Sequence, residues 1–503
     1  MLLALLCSTV LTVVPSPRVP AGDTLFIADA LVIDGTGHAG RRASVRVADG
    51  RILAVGKLKP GKNDKVVQAK GRVLAPGFID THAHYDRDVF EQPDLVAVTA
   101  QGVTTVVVGQ DGGQPYPLAD FFAKLEQHPA AVDVAAYAGH GTLRDRVMGR
   151  DFKRKATRAE VDSMSVLLRK ELAAGAIGLS SGLEYDPGIY SATDELVTLA
   201  RITAAAGGRY ISHVRSEDRY FWKAIDELIQ IGREAKLPVQ VSHAKLAMRT
   251  LWGQAPKLIA KLDSARAQGV DVTADVYPYT YWQSTITVLF PGRDFTSRSE
   301  AELVLKEIAA PDGILLTSSY DKSVEGKTVA QIAKERGKDS VTTLLELTQG
   351  AAASEDEGGE DSGTSIIGTS MSEPDIERIL QWPHSNICSD GAATGGHPRG
   401  YGAFARVLAR YVRERKVLKL EQAIHKMTGL AAAHMGLKDR GLIAPGYKAD
   451  LVLFDPAAVT DRSTPMNPTA QATGVDLVWV NGVAVFQDGK PTGARPGRPV
   501  RRS

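Results

Sequence analysis

Eight short apolar runs, alternating with stretches of helical periodicity, occupy the middle of this 503-residue chain: residues 77–80, 103–109, 132–138, 176–180, 210–213, 239–243, 270–276 and 386–389. Strands that alternate with helices pair in parallel, and eight of them close a (β/α)8 barrel. The intervening helices carry their own signals. Thr157 and Glu160 form a capping box, Val161, Met164, Leu167, Leu168 and Leu172 make one apolar face, and Gly175 ends the helix. A second apolar face runs through Phe221, Ile225, Leu228, Ile229 and Gly232. Such stripes are core packing.

The two ends of the chain read differently. Residues 24–74 and the segments 449–454 and 477–485 are short strands broken by turns such as Asp49-Gly50 and Asn481-Gly482. Neither end has enough strands to bury a core alone, so residues 22–75 and 441–503 are expected to build one small β-domain around a barrel at 76–440. An insertion at about 291–365, with helical stretches near 300–309 and 328–336, is expected between the seventh and eighth strands, over the barrel mouth. Its acidic stretch 351–363 has little to bury and reads as a solvated, mobile loop.

Sixty basic against 58 acidic residues leave a net charge of +2, which gives no reason to expect nucleic acid or an anionic membrane as partner. A small-molecule substrate fits better. Residues 1–15 are almost wholly apolar but too short to span a bilayer, and 1–21 read as a signal peptide with an atypical start lacking Lys or Arg. Periplasmic or secreted location is the expectation. The oligomeric state has no signal. The only cysteines are Cys7, within that leader, and Cys388, so a metal site must be built mainly from His and carboxylate.

The first apolar run breaks into two histidines, Gly77-Phe78-Ile79-Asp80-Thr81-His82-Ala83-His84. On a strand His82 and His84 share a face, a chelating geometry for zinc or a related ion. A bare pair of this kind is equally compatible with two histidines near a strand end. Other strand ends decide it: the fifth carries His213, the sixth His243 and the eighth Asp390. Active sites of such barrels form at these ends, and four strands delivering metal-ligand residue types to one rim point to a metal.

Several blocks carry a resemblance: Val32-Ile33-Asp34-Gly35-Thr36-Gly37, Gly139-His140-Gly141-Thr142-Leu143-Arg144, Gly178-Leu179-Ser180-Ser181-Gly182-Leu183-Glu184-Tyr185, Asp275-Val276-Tyr277-Pro278-Tyr279-Thr280 and His397-Pro398-Arg399. Together with Gly441 to Val452 they resemble the amidohydrolase superfamily, and within it the N-acyl-D-amino-acid deacylases. The resemblance implies a TIM-like metal-dependent hydrolase barrel with a small β-sandwich. It implies zinc, one ion or two, with another divalent metal as the alternative. It places His82, His84 and Asp390 at one metal position and His213 and His243 at another, with Asp390 shuttling the proton from water to the departing amine. For a substrate carboxylate, Arg399 offers a planar fork, and the resemblance adds Lys245 and Tyr277.

Two departures stand out. No lysine occurs in 176–183, where many superfamily members carry a carboxylated one, and the cysteine that the deacylases use after the second strand is replaced by Asp111. Asp111 can bind or bridge a metal, or can simply be half of an Asp-Gly turn. Arg215 and Glu217 read as an ion pair on the rim, and His140 as a hydrogen-bonded turn histidine. The expected activity is hydrolysis of N-acyl-D-amino acids. The alternatives are a related amidohydrolase of dipeptides, cyclic amides or lactones, and a non-catalytic binding protein, which the retained histidine pairs and Asp390 oppose.

Overall fold

The computed structural model describes residues 24–356 and 363–502. The leader expected at 1–21 lies outside the described residues, as does part of the acidic stretch, 357–362.

Strands from both ends of the chain form one continuous nine-stranded sheet. Five come from the amino-terminal side, and the halves meet where Val73–Pro76 pairs antiparallel with Leu451–Phe454, Leu74 opposite Leu453. The sheet bends around a core that includes Ile27, Val45, Ile52, Leu74, Leu451 and Trp479. Asp49-Gly50 and Asn481-Gly482 both take positive φ at each residue (49° and 70°; 49° and 78°), the twist a two-residue hairpin needs.

The barrel strands are Phe78–Asp80, Val103–Val108, Asp133–Ala136 continued by Ala138–Gly139, Gly178–Gly182, Arg209–His213, Val239–Val241, Val272–Val276 and Ser385–Ile387. Neighbours pair in parallel throughout, and the ring closes through a parallel bridge between Ala83 and Gly391. The helix Arg158–Ala174 has the expected Thr157–Glu160 capping box, and Gly175 ends it in a left-handed conformation. Phe221, Ile225, Leu228, Ile229 and Gly232 are the buried face of Phe221–Ala235, as their spacing implies. One strand lies apart from the small sheet. Pro499–Val500 pairs with Val134 and Ala135 of the third barrel strand.

Between the seventh and eighth barrel strands the chain adds a three-stranded antiparallel sheet, Tyr281–Thr285, Ile314–Ser318 and Ser365–Thr369, with helices that include Arg298–Leu303, Val329–Arg336 and Ser340–Asp356. The added unit thus begins at Tyr281, earlier than apolar patterning suggests, because its first strand follows the barrel strand after only four residues. The first part of the acidic stretch is helix rather than loop. Leu344, Leu347 and Ala351 are buried along one side of Ser340–Asp356, and that apolar face carries the helix into the polar residues. Among the described residues no helix is long and apolar enough to cross a membrane.

Candidate metal centre

His82, Asp111, His243 and Asp390 each offer a ligand atom within 4.8 Å of the others, at the carboxyl-terminal ends of the first, second, sixth and eighth strands. Asp111 Oδ1 lies 3.4 Å from His82 Nε2 and 3.5 Å from His243 Nε2. His82 Nε2 stands 3.5 Å from Asp390 Oδ1. His84 Nε2 closes the group at 3.1 Å from Asp390 Oδ1 and 3.5 Å from Asp111 Oδ2. A second cluster, His213, Glu217 and His243, adjoins it through His243. His213 Nδ1 is 3.0 Å from His243 Nε2, and its Nε2 faces Glu184 Oε2 at 2.9 Å.

Three of these residues need a backbone that most side chains avoid. Asp111, His243 and Asp390 have φ of 53°, 33° and 52°. A left-handed residue at a strand end turns its side chain towards the barrel axis at a cost that functional sites commonly carry. The Asp111 turn is also crowded. A Cβ on Gly182 would overlap the Asp111 carbonyl oxygen, and one on Gly139 would overlap that of Gly112. The glycines of the third and fourth strands are therefore there to let this loop lie on their backbone.

The chemistry of the donor set fits a metal. His82 is fully buried, yet neither of its ring nitrogens has a hydrogen-bond partner, and nor does Asp111 Oδ1. Buried polar atoms left without partners are rare and call for an ion or water. Charge points the same way. Burial works against a protonated His84, but Asp111 and Asp390 outweigh it and raise that imidazole to about 10. At His243 burial and Lys245 oppose the charge, and Asp390, Glu217 and Asp111 overcome them, again raising it to about 10. These carboxylates favour positive charge at the site, and imidazole with carboxylate is a zinc-type donor set.

Around the ligands the strand ends enclose a cavity of about 340 Å³ that includes Lys245 and Arg399 in its wall. Arg399 Nη1 is 2.6 Å from Asp390 Oδ2. Burial alone would raise the Asp390 carboxyl, but Arg399 and the surrounding histidines hold it well below the usual carboxylate range. Lys245 Nζ is 2.7 Å from Glu217 Oε2. Both cations lie over the Tyr277 ring, 5.6 Å from its centre for Lys245 and 5.0 Å for Arg399. His397 holds Arg399 in place: Nδ1 accepts from the Arg399 backbone N–H at 3.0 Å, and Nε2 donates to the Tyr281 carbonyl at 2.9 Å.

The Amidohydrolase family model matches residues 65–284 and 306–486. The chain belongs to the amidohydrolase family. It is 38% identical to N-acyl-D-glutamate deacylase of Alcaligenes xylosoxydans xylosoxydans over 95% of this chain and 96% of that protein. It is 35% identical to D-aminoacylase of the same organism, over 95% and 98%. Among solved structures it is similar to N-acyl-D-glutamate deacylase from Bordetella bronchiseptica complexed with zinc and a phosphonate inhibitor, with a TM-score of 0.84 and 36% identity over 95% of this chain and 99% of that one.

In this amidohydrolase His82, His84 and Asp390 lie together and His213 lies beside His243, the grouping that the resemblance implies, with His243 close to both groups. His243 belongs to both clusters, and Asp111 sits between the first-strand histidines and His243. Glu217 is not paired with Arg215. Arg215 turns outward to Glu227 at 2.8 Å, while Glu217, two residues on, turns inward to His243 Nδ1 at 3.0 Å. Glu184 and Asp275, both within blocks that carry the resemblance, received no role from the sequence and also stand at the site. Glu184 follows the fourth strand by two residues and takes His213. Asp275, within the seventh strand, accepts from Gln240 Nε2 at 2.6 Å and from the His243 backbone N–H. A search for carboxylates near strand ends, rather than for ligand motifs, finds both. His140 is buried, and its Nε2–H donates to Glu195 Oε1 at 2.7 Å, alongside Arg144.

Proposed function

We propose that this amidohydrolase cleaves the amide bond of N-acyl-D-amino acids, releasing a D-amino acid and a carboxylate, with zinc held by His82, His84, Asp111, His213, His243 and Asp390. The observation that carries the reading is Asp390, poised between the histidine cluster and a cavity whose wall holds two cations. The relatives named above, two of them N-acyl-D-glutamate deacylases, support the same reaction.

A bound divalent ion would polarise the amide carbonyl and lower the pKa of a water beside it. The protein's own part is proton transfer and positioning. Asp390, kept ionised by Arg399, takes the proton of the attacking water and gives it to the leaving nitrogen. Lys245 and Arg399, which line the cavity, would meet the substrate carboxylate, and the Tyr277 ring packs against both cations. Gln240 and the His243 N–H anchor Asp275, whose carboxylate lies 3.9 Å from His82 Nδ1, beyond hydrogen-bond reach.

The test is turnover of N-acetyl amino acids in D and L forms, with a cyclic amide and a lactone beside them. Hydrolysis is expected for D forms, and Asp390→Asn is expected to lose about a thousandfold in kcat. Failure on every D form sinks the deacylase reading. Full activity in Asp390→Asn sinks the mechanism. We also place the mature protein outside the cytoplasm, on the apolar run of residues 1–15. Amino-terminal sequencing of the chain from a periplasmic fraction checks it.

A further inference from the structure

The cavity lining has two unlike parts. The strand ends bring the charged groups. The added three-stranded unit brings Trp282, Val288, Leu289 and Ile308, with Gln283, Ser284, Thr285 and Ser365 as its polar and uncharged positions. Trp282, Leu289 and Ile308 are buried in this wall rather than exposed on a surface. Of the described residues that line the cavity, the cations other than histidine are Lys245 and Arg399, each already facing a carboxylate.

Two further guanidiniums belong to neighbouring segments, and neither lines the cavity. Arg293 spans Asp186 at 3.0 Å and the carbonyls of Glu184, Thr287 and Phe290 at 3.1–3.3 Å. Arg219 turns to Asp218 at 2.7 Å and towards Glu300 at 3.7 Å. Segment 357–362, which adjoins this unit in sequence, contains no Lys or Arg.

A substrate whose α-carboxylate reaches Lys245 and Arg399 and whose amide reaches the metal ligands must set its side chain against the remaining wall. An acidic side chain there would shed water with no uncommitted cation among the described lining residues to receive it. An apolar side chain would bury area against Trp282, Val288 and Ile308 instead. We infer that this enzyme takes N-acyl-D-amino acids with uncharged, apolar side chains and rejects the N-acyl derivatives of D-glutamate and D-aspartate. The inference rests on the deacylase reading. It also runs against the order of sequence identity, in which N-acyl-D-glutamate deacylase stands above D-aminoacylase.

The experiment compares kcat/KM of the zinc-loaded full chain for N-acetyl-D-leucine, N-acetyl-D-phenylalanine, N-acetyl-D-glutamate and N-acetyl-D-aspartate. A preference of about a hundredfold or more for the first two is expected, since an unpaired buried charge is rejected more strongly than a missing methylene. Val288→Arg, which places a cation in the apolar wall, is expected to narrow that preference at least tenfold, with metal content and circular dichroism unchanged. Equal or better turnover of the acidic substrates by the unaltered chain overturns the inference and leaves the deacylase reading standing. No turnover of any D form overturns both.

Discussion

Asp111 concentrates the chemistry that sets this chain apart. The resemblance puts a cysteine at this position in the deacylases, and here a carboxylate reaches His82, His84 and His243 at 3.4–3.5 Å. The Asp-Gly pair does form a left-handed turn, and that turn is compatible with a ligand role. Asp tolerates the left-handed turn better than most residues, so the turn aims the carboxylate. Asp111→Ala is expected to lower bound zinc below one equivalent, read by elemental analysis of the dialysed protein. Asp111→Cys, which restores a ligand of the same reach, is expected to retain stoichiometric metal. Equal metal in Asp111→Ala and the unaltered chain rules out the ligand role. Gly182→Ala offers a subtler check. Its added methyl would push the Asp111 loop off the fourth strand, and a loss of at least tenfold in kcat/KM with the fold intact is expected.

At the scale of elements, a buried polar node ties the small sheet to the barrel. Arg440 Nη1 lies 2.7 Å from Asp133 at the start of the third barrel strand and 3.2 Å from Asp450, just before Leu451–Phe454. Asn481 joins both: its backbone N–H donates to Asp450 at 2.7 Å and its Nδ2 to Asp133 at 3.0 Å. Arg440→Met leaves two carboxylates buried together and is expected to cost about 3–5 kcal/mol in chemical denaturation. Asp450 adds a pH signature. Burial and then Asp133 raise its carboxyl above the ordinary value, against the pull of Arg440. A raised folded pKa gives a contribution that is whole below the unfolded value near 3.8 and is lost as pH rises through the folded one. Asp450→Asn is therefore expected to gain stability relative to the unaltered chain as pH rises from about 4 to about 8. A constant difference across that range removes the cause assigned to the shift. The node left little trace in sequence because its members lie more than 300 residues apart, from Asp133 to Arg440 and Asn481. The helices of the barrel did leave one, since caps and apolar faces such as Thr157–Glu160 and Phe221–Gly232 act within a few residues.

Over the whole molecule, both chain ends return to the barrel. The amino-terminal strands share a sheet with residues that follow it, and the last strand, Pro499–Val500, lies beside the third barrel strand. Arg502 then caps the carbonyls of Leu172 at 3.0 Å and Ala176 at 3.2 Å. Removing residues 496–503 would leave that edge and those carbonyls unpaired. A fall in thermal midpoint with loss of activity is expected, and unchanged melting would show the tail to be dispensable. The added three-stranded unit works at the other end of the barrel, where it supplies the apolar wall of the cavity.

What the sequence determined by itself was the eightfold alternation, the joining of the two ends into one small sheet, and the strand ends at which His82, His84, His213, His243 and Asp390 stand. Those follow from period, propensity and the pleat, which act over a few residues. Only the tertiary structure decided that His243 is shared between two clusters, that Glu217 and Glu184 turn inward while Arg215 turns out, and that Arg399 rests on Asp390. Each of those outcomes depends on which backbone faces the axis and on charges brought together from distant strands, and a linear chain carries neither quantity.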